Sequence, residues 1–283
     1  MAKDIFTSKR TLNLKGKIRE IDTPLVMGIL NITPDSFYDG GRYKTEERII
    51  DHVRRMLEEG ADIIDVGGCS TRPGADDIGE QQELDRVVPI ITALIREFDD
   101  IVVSVDTSRA GVARAAVGAG ACMVNDITGG TDADMWNTVA ELRVPYVVMH
   151  TRGTPSNMQR QTDYEDVVYE VITYLEGLIH QLNDRGIADI IVDPGIGFAK
   201  TLEQNYELLR NLDYFKALER PLLVGLSRKS LIYRLLDESP EGALNGTSVL
   251  NALALMKGAD ILRVHDVKEA SQAIKLIKKA EAI

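Results

Sequence analysis

Arg263 and His265 stand two residues apart in the apolar run ILRVHD (261–266), which otherwise reads as a buried strand. Side chains at i and i+2 of a strand share one face, so a guanidinium and an imidazole converge there. A charge buried without a partner is strongly unfavourable, and either an acidic group of the protein or an anionic ligand must answer this pair. Joined by Asn31, they form a donor cluster suited to a phosphate or pyrophosphate, because arginine offers a planar fork of N–H donors. The neutral oxygen of Asn31 also suits Mg²⁺, a cation held by few protein ligands and by substrate phosphates. A second set, Asp106, Asn125 and Asp193 with Lys229 as donor, complements a planar heterocycle carrying ring N–H and amino donors beside a carbonyl. No Ser-His-Asp or Cys-His arrangement stands out, so a nucleophilic mechanism is not expected.

These residues need a scaffold that gathers them from distant parts of the chain. Strand-length apolar runs occur at 25–30, 62–67, 101–106, 122–127, 146–150, 190–195, 222–227 and 261–266. Their near-continuous Val, Ile and Leu content is what parallel strands covered on both faces require. Helix-period segments lie between them, such as the stripe Leu84, Val87, Val88, Ile91, Leu94, Ile95 and Phe98. A longer one runs from Val167 through Val171 and Leu175 to Leu182. Thr162 and Thr201 open capping-box patterns, and Asp126 and Asp266 read as caps. Alternating strands and helices in this number predict a (β/α)₈ TIM barrel, with a doubly wound open sheet as the alternative architecture. Residues 4–21 read as a hairpin with LKGK as its turn, and the chain as one domain over 1–283, with 1–23 closing the barrel floor.

In such a barrel the site lies at the C-terminal ends of the strands. Each predicted strand ends in hydrogen-bonding or charged groups: Asn31, Asp65, Asp106, Asn125, His150, Asp193, Ser227 to Lys229, and Arg263 with His265. Singly, Asp65, Asp106 and Asp193 could be turn formers, His150 a structural histidine and Arg72 a solvated loop charge. Their convergence on one rim is what favours a site.

The 283 residues, 44% apolar and 27% charged, describe an ordinary globular protein. A net charge of −11, with five Phe and one Trp, argues against nucleic acid as a partner. No apolar run is long enough for a membrane span and the N-terminus lacks a signal-peptide core, so a cytoplasmic location is expected. Cys69 and Cys122 lie in different contexts without a nearby Cys/His set, which points to neither a disulfide nor a zinc site.

The segments MGILNITPDSFYDGG, GGCSTRPG, SVDTS, VNDI, DPGIGFAK, GLSRKS and RVHDV occur in this order at the predicted strand ends, and from about residue 24 onward the chain resembles the dihydropteroate synthases. The resemblance implies a folate-pathway transferase that joins 6-hydroxymethyl-7,8-dihydropterin pyrophosphate to 4-aminobenzoate with Mg²⁺. It implies a homodimer and a target of sulfonamides. Carried onto this sequence, it implies pterin contacts from Asp106, Asn125, Asp193 and Lys229, with Thr71, Arg263 and His265 completing the pterin pyrophosphate site and Asn31 at the metal. Phe37, Thr71, Pro73, Phe198, Lys229 and Ser230 would face 4-aminobenzoate, and Arg72 would join Lys229, Arg263 and His265 in catalysis. Replacing Arg263 by alanine is then expected to cut turnover by more than about tenfold with the fold retained. Two positions depart from the family pattern: Cys69 stands where Glu is more usual, and Ala199 where Gly is. Rival readings of the same rim are a pterin-binding methyltransferase barrel, an aldolase-like barrel using Lys229, and a non-catalytic pterin binder.

Overall fold

The computed structural model describes residues 11–32, 41–69, 78–154 and 157–281. Strands β1 (Thr11–Leu14) and β2 (Lys17–Glu20) pair as an antiparallel hairpin with Leu14 opposite Lys17. Its turn residues Lys15 and Gly16 have φ of 53° and 75°. Positive φ at both central positions is the conformation of a type I′ turn, whose twist matches that of the flanking strands.

Eight parallel strands follow: β3 (Leu25–Asn31), β4 (Ile63–Gly67), β5 (Val103–Asp106), β6 (Met123–Asp126), β7 (Tyr146–Met149), β8 (Ile190–Asp193), β9 (Leu223–Val224) and β10 (Ile261–Val264). They are ordered β8-β7-β6-β5-β4-β3-β10-β9, and a parallel bridge from Val192 to Leu222 joins β8 to the residue ahead of β9. That bridge closes the ring, so the architecture is the (β/α)₈ barrel and not the open sheet. The connecting helices are α1 (Gly41–Glu59), α2 (Glu80–Glu97), α3 (Ala110–Gly118), α4 (Met135–Leu142), α5 (Val167–Asp184) and α6 (Leu202–Arg210), then α7 (Ser230–Tyr233) and α8 (Leu244–Met256) after β9, and α9 (Val267–Glu281) after β10. No helix among the described residues is long and apolar enough to cross a membrane.

Helix starts follow the side chains that can answer free backbone N–H groups. Thr201 and Gln204 form a reciprocal capping box at α6, as the sequence predicts. At α5 the expected start at Thr162 is displaced to Asp166, whose carboxylate accepts the Tyr169 N–H at 2.9 Å. The buried stripe begins at Val167, and the helix starts where that burial does.

Alternation along the strands divides the core. Val26, Ile64, Val124, Val192 and Leu262 pack between sheet and helices. Met27, Ile63, Met123, Ile191 and Ile261 belong to a separate cluster shared with Leu12, Leu14 and Ile21. The hairpin therefore seals the N-terminal end of the barrel, with Leu12 only 1% exposed. Two residues further along the same strand faces, Ile63 gives way to Asp65, Met123 to Asn125, Ile191 to Asp193 and Ile261 to Arg263. The barrel interior thus changes from apolar to charged within about one strand repeat. Truncating the floor in Leu12→Ala is expected to destabilise the protein by about 2–5 kcal/mol, read as a lowered denaturant midpoint with an unchanged slope.

Candidate active site

Arg263 enters the barrel from β10 and is held by two carboxylates. Its Nε donates to Asp65 Oδ2 at 2.6 Å and its Nη2 to Asp106 Oδ2 at 2.6 Å. Asn125 Nδ2 donates to the same Asp65 oxygen at 2.9 Å, so β4, β5, β6 and β10 are tied into one cluster. Asp65, Asp106 and Asn125 are all buried, whereas the Arg263 side chain keeps 18% exposure toward the open end. Burial pushes the Asp106 carboxyl up to about 7, against the lowering pull of Arg263, and the negative charge of Asp65 adds to the rise. For Arg263, burial works against the charge, but Asp65 and Asp106 outweigh it and hold the guanidinium protonated. Acidic side chains of the protein itself therefore meet the Arg263 guanidinium. The carboxylates meet the guanidinium from inside the barrel, while Asn31 and His265 stand at the strand ends beside it. The other Asp65 oxygen, Oδ1, is buried with no hydrogen-bond partner among the described residues.

A second group forms where β8 runs into α6. Asp193 Oδ1 accepts the Gly195 N–H at 2.7 Å, and burial raises its carboxyl while Lys229 lowers it. Lys229 Nζ donates to the Ile196 carbonyl at 2.5 Å and lies 4.6 Å from the centre of the Phe198 ring. Burial pulls Lys229 down to about 8; Asp193 opposes that shift and Arg263 adds to it. Gly225 leaves space between the two groups, since a Cβ there would sit 3.7 Å from Lys229 Nζ and 3.8 Å from Arg263 Cβ. Ser230 opens α7 directly after Lys229. Ala199 has φ +48°, a left-handed conformation that favours glycine, which gives a physical reason for the more usual Gly at this position.

His265 lies one residue past the end of β10, is exposed, and donates its backbone N–H to Ser227 Oγ at 3.1 Å, with its Nδ1 also 3.1 Å from that oxygen. Asp266, expected only as a cap, grips Arg228 with both oxygens at 2.6 and 3.0 Å. Asp126 serves as a turn former, accepting from Thr128 and Gly130 N–H groups and from Tyr146 Oη. Asn31 is exposed at the tip of β3, across from Gly67, where a Cβ would meet its Oδ1 at 3.4 Å and Asp106 Cβ at 3.5 Å.

The structure thus brings together Asp106, Asn125 and Arg263 in one cluster, and Asp193, Lys229 and Phe198 in another, with Asn31, Ser230 and His265 at the same strand ends. Phe37, Thr71, Arg72 and Pro73 lie outside the described residues. Sequence reasoning left Asp65 among the turn formers, although its inward parity two residues after Ile63 was a usable signal. Lys200 was missed, and nothing in its local pattern marked it: its Nζ, 4% exposed as a residue, donates to the Gly195 and Phe198 carbonyls.

A closed (β/α)₈ barrel with carboxylate and carboxamide acceptors, a guanidinium and an ammonium converging at its C-terminal end among the described residues defines an enzyme that grips a polar heterocycle, and the model of the pterin-binding enzymes matches residues 27–265. A dihydropteroate synthase from Synechocystis is 48% identical over 255 residues, covering 89% of this chain and 88% of the relative. Solved structures of the Xanthomonas albilineans dihydropteroate synthase superpose with TM-scores of 0.90 for the complex with 4-aminobenzoic acid and 0.86 for that with 7,8-dihydropteroate. The former is 41% identical and covers 98% of this chain and all of its own; the latter is 39% identical, with coverage of 96% and 99%. The chain belongs to the dihydropteroate synthases, transferases of folate synthesis.

The pairing of Arg263 revises one expectation. Arg263→Ala would leave Asp65 and Asp106 buried without their counter-charge, so stability as well as turnover should fall, by about 3–5 kcal/mol in a chemical unfolding experiment. His150 gives a pH signature. Burial, then the charges of Lys200 and Arg152, pull its ring down to about 3 from an ordinary value of 6.5. The unfolded chain binds a proton that the folded ring refuses, so this contribution to stability is present above about pH 6.5 and declines as pH falls toward 3. His150→Gln should flatten the stability profile between neutral pH and about pH 5, and the wild-type ring should show no NMR titration there.

Proposed function

We propose that this site joins 6-hydroxymethyl-7,8-dihydropterin pyrophosphate to 4-aminobenzoate, releasing 7,8-dihydropteroate and pyrophosphate. Asp106, Asn125 and Asp193 accept from the N–H and amino groups of the pterin, and Lys229 donates to it. The observation that carries this reading is the placement of these acceptors around Arg263 and Lys229 at the open end of the barrel, between an apolar floor and the strand tips. Pyrophosphate leaves the methylene carbon with the electrons of the C–O bond, the dihydropterin ring delocalises the resulting cation, and the arylamine nitrogen forms the new C–N bond and then loses a proton. The protein supplies no nucleophile. Arg263 and His265, with Arg72 from the β4–α2 connection, stabilise the departing charge, and the bound ring is oriented for attack.

Phe198, Lys229 and Ser230, with Phe37, Thr71 and Pro73, form the 4-aminobenzoate side, and Thr71 also meets the pterin pyrophosphate. Asn31 would hold Mg²⁺. Among the described residues no group of three or more His, Cys, Asp or Glu could cage a metal, and one exposed carboxamide suits an ion that keeps its waters and takes phosphate oxygens. When bound there, Mg²⁺ would neutralise the leaving pyrophosphate. We read the protein as a single-domain cytoplasmic homodimer. Leu235, Leu236, Val249 and Met256, exposed on and beside α8, offer apolar surface for a second copy.

The deciding assay follows pyrophosphate release from the dihydropterin pyrophosphate in Mg²⁺, with and without 4-aminobenzoate. Release coupled to dihydropteroate formation is expected; tight pterin binding without release would favour the methyltransferase or binder reading. Asp193→Asn should lower kcat/KM by about a hundredfold, since it weakens both the ring contact and the partner of Lys229.

A further inference from the structure

Lys200 presents a problem that the reaction leaves unsolved. It is 4% exposed, and its Nζ donates to three neutral acceptors: Gly195 O at 3.0 Å, Phe198 O at 3.0 Å and His150 Nδ1 at 3.1 Å. An ammonium has three N–H donors, so this set uses all of them. Burying a cation against neutral groups is unfavourable, and a methionine would fill similar volume without that penalty. Burial pulls Lys200 down to about 7, with Asp193 resisting the shift.

The acceptors show what the charge accomplishes. Gly195 and Phe198 are the two ends of the turn that follows Asp193, closed by the Phe198 N–H donating to the Gly195 carbonyl at 3.0 Å. The turn is pressed against β7: a Cβ on Gly195 would lie 1.9 Å from the His150 carbonyl, and Gly195 has φ +67°. Between its ends lies the Ile196 carbonyl that receives Lys229, and Phe198 carries the ring facing Lys229. His150 anchors the clamp from β7, its Nδ1 available as an acceptor because the buried ring stays neutral.

We infer that Lys200 is a positioning residue: by holding the Gly195 and Phe198 carbonyls against His150, it places the Ile196 carbonyl and the Phe198 ring that fix Lys229 on the aminobenzoate side of the site. This inference rests on the function proposed above. Among the described residues, Asp65, Asp106, Asn125 and Arg263 receive no hydrogen bond from this clamp, so the Asp106 and Asn125 contacts to the pterin persist when the clamp is weakened.

The test compares wild type with Lys200→Gln and His150→Asn in the full chain. It measures kcat, KM for 4-aminobenzoate and Kd for the dihydropterin pyrophosphate in Mg²⁺, with thermal unfolding alongside. The expected result is a KM for 4-aminobenzoate raised about tenfold more than the pterin Kd in Lys200→Gln, and a smaller change with the same bias in His150→Asn. Should Lys200→Gln not fold, the bias in His150→Asn decides. An unchanged KM, or equal losses of both affinities, would overturn the role of Lys200, because a purely structural residue has no reason to favour one substrate. Wild type that makes no dihydropteroate would instead defeat the proposed function, which separates the two failures.

Discussion

One guanidinium shared between two carboxylates organises the interior of this barrel. Arg263 spans from β10 to Asp65 on β4 and Asp106 on β5, crossing above β3, and Asp65 in turn receives Asn125 from β6. Ion pairs at this depth gain little net stability, because desolvating the charges offsets their attraction. What they supply is definition. Each oxygen and nitrogen has few alternatives in a dry interior, so the directions of four strand-end side chains become mutually dependent. An apolar layer lies beneath the cluster, formed by Met27, Ile63, Met123, Ile191 and Ile261 and plugged by Leu12 and Leu14. Among the described residues this apolar layer covers the cluster from below, and the Arg263 side chain keeps 18% exposure.

The second organising element is backbone. The turn from Asp193 to Lys200 uses left-handed conformations at Gly195, Gly197 and Ala199, with φ of 67°, 91° and 48°. Three such residues in five bring successive carbonyls to the inside of the turn, where Lys200 and Lys229 take them up. The alanine adds strain of about 1 kcal/mol relative to glycine, and the buried hydrogen bonds over-determine the turn enough to hold it. Lys229 and Lys200 thereby bind carbonyls of one loop, with Asp193 as the carboxylate that both ammonium groups influence. Around the site itself, the carboxyl groups of Asp65, Asp106 and Asp193 stand beside the basic groups of Arg263, Lys229 and Lys200.

Much of this was legible in the chain itself, for identifiable reasons. Continuous Val, Ile and Leu runs marked all eight barrel strands because parallel strands are buried on both faces. The Thr201 capping box was readable because its two partners are three residues apart. Thr162 failed because the competing Asp166 and Glu170 lie nearer the first buried residue. Asp106, Asn125, Asp193 and Lys229 were recognisable as strand-end polar groups. The partner of Arg263 was not, since Asp65 and Asp106 lie 198 and 157 residues away along the chain. Sequence patterns report on neighbours within a turn or a strand repeat, and carry no direct information about such distances.

The division is therefore physical. By itself the sequence determined strand and helix periodicity, the polar switch at each strand end, the hairpin turn and, through its ordered segments, kinship with the dihydropteroate synthases. Those properties reside in local backbone geometry and side-chain type. Barrel closure at Val192 and Leu222, the sharing of Arg263 between two carboxylates, the capture of Asp266 by Arg228 and the burial of Lys200 against His150 were decided only by the tertiary structure. Each depends on which groups meet once water has been removed, and in that environment a donor takes whichever acceptor the packed strands leave within about 3 Å.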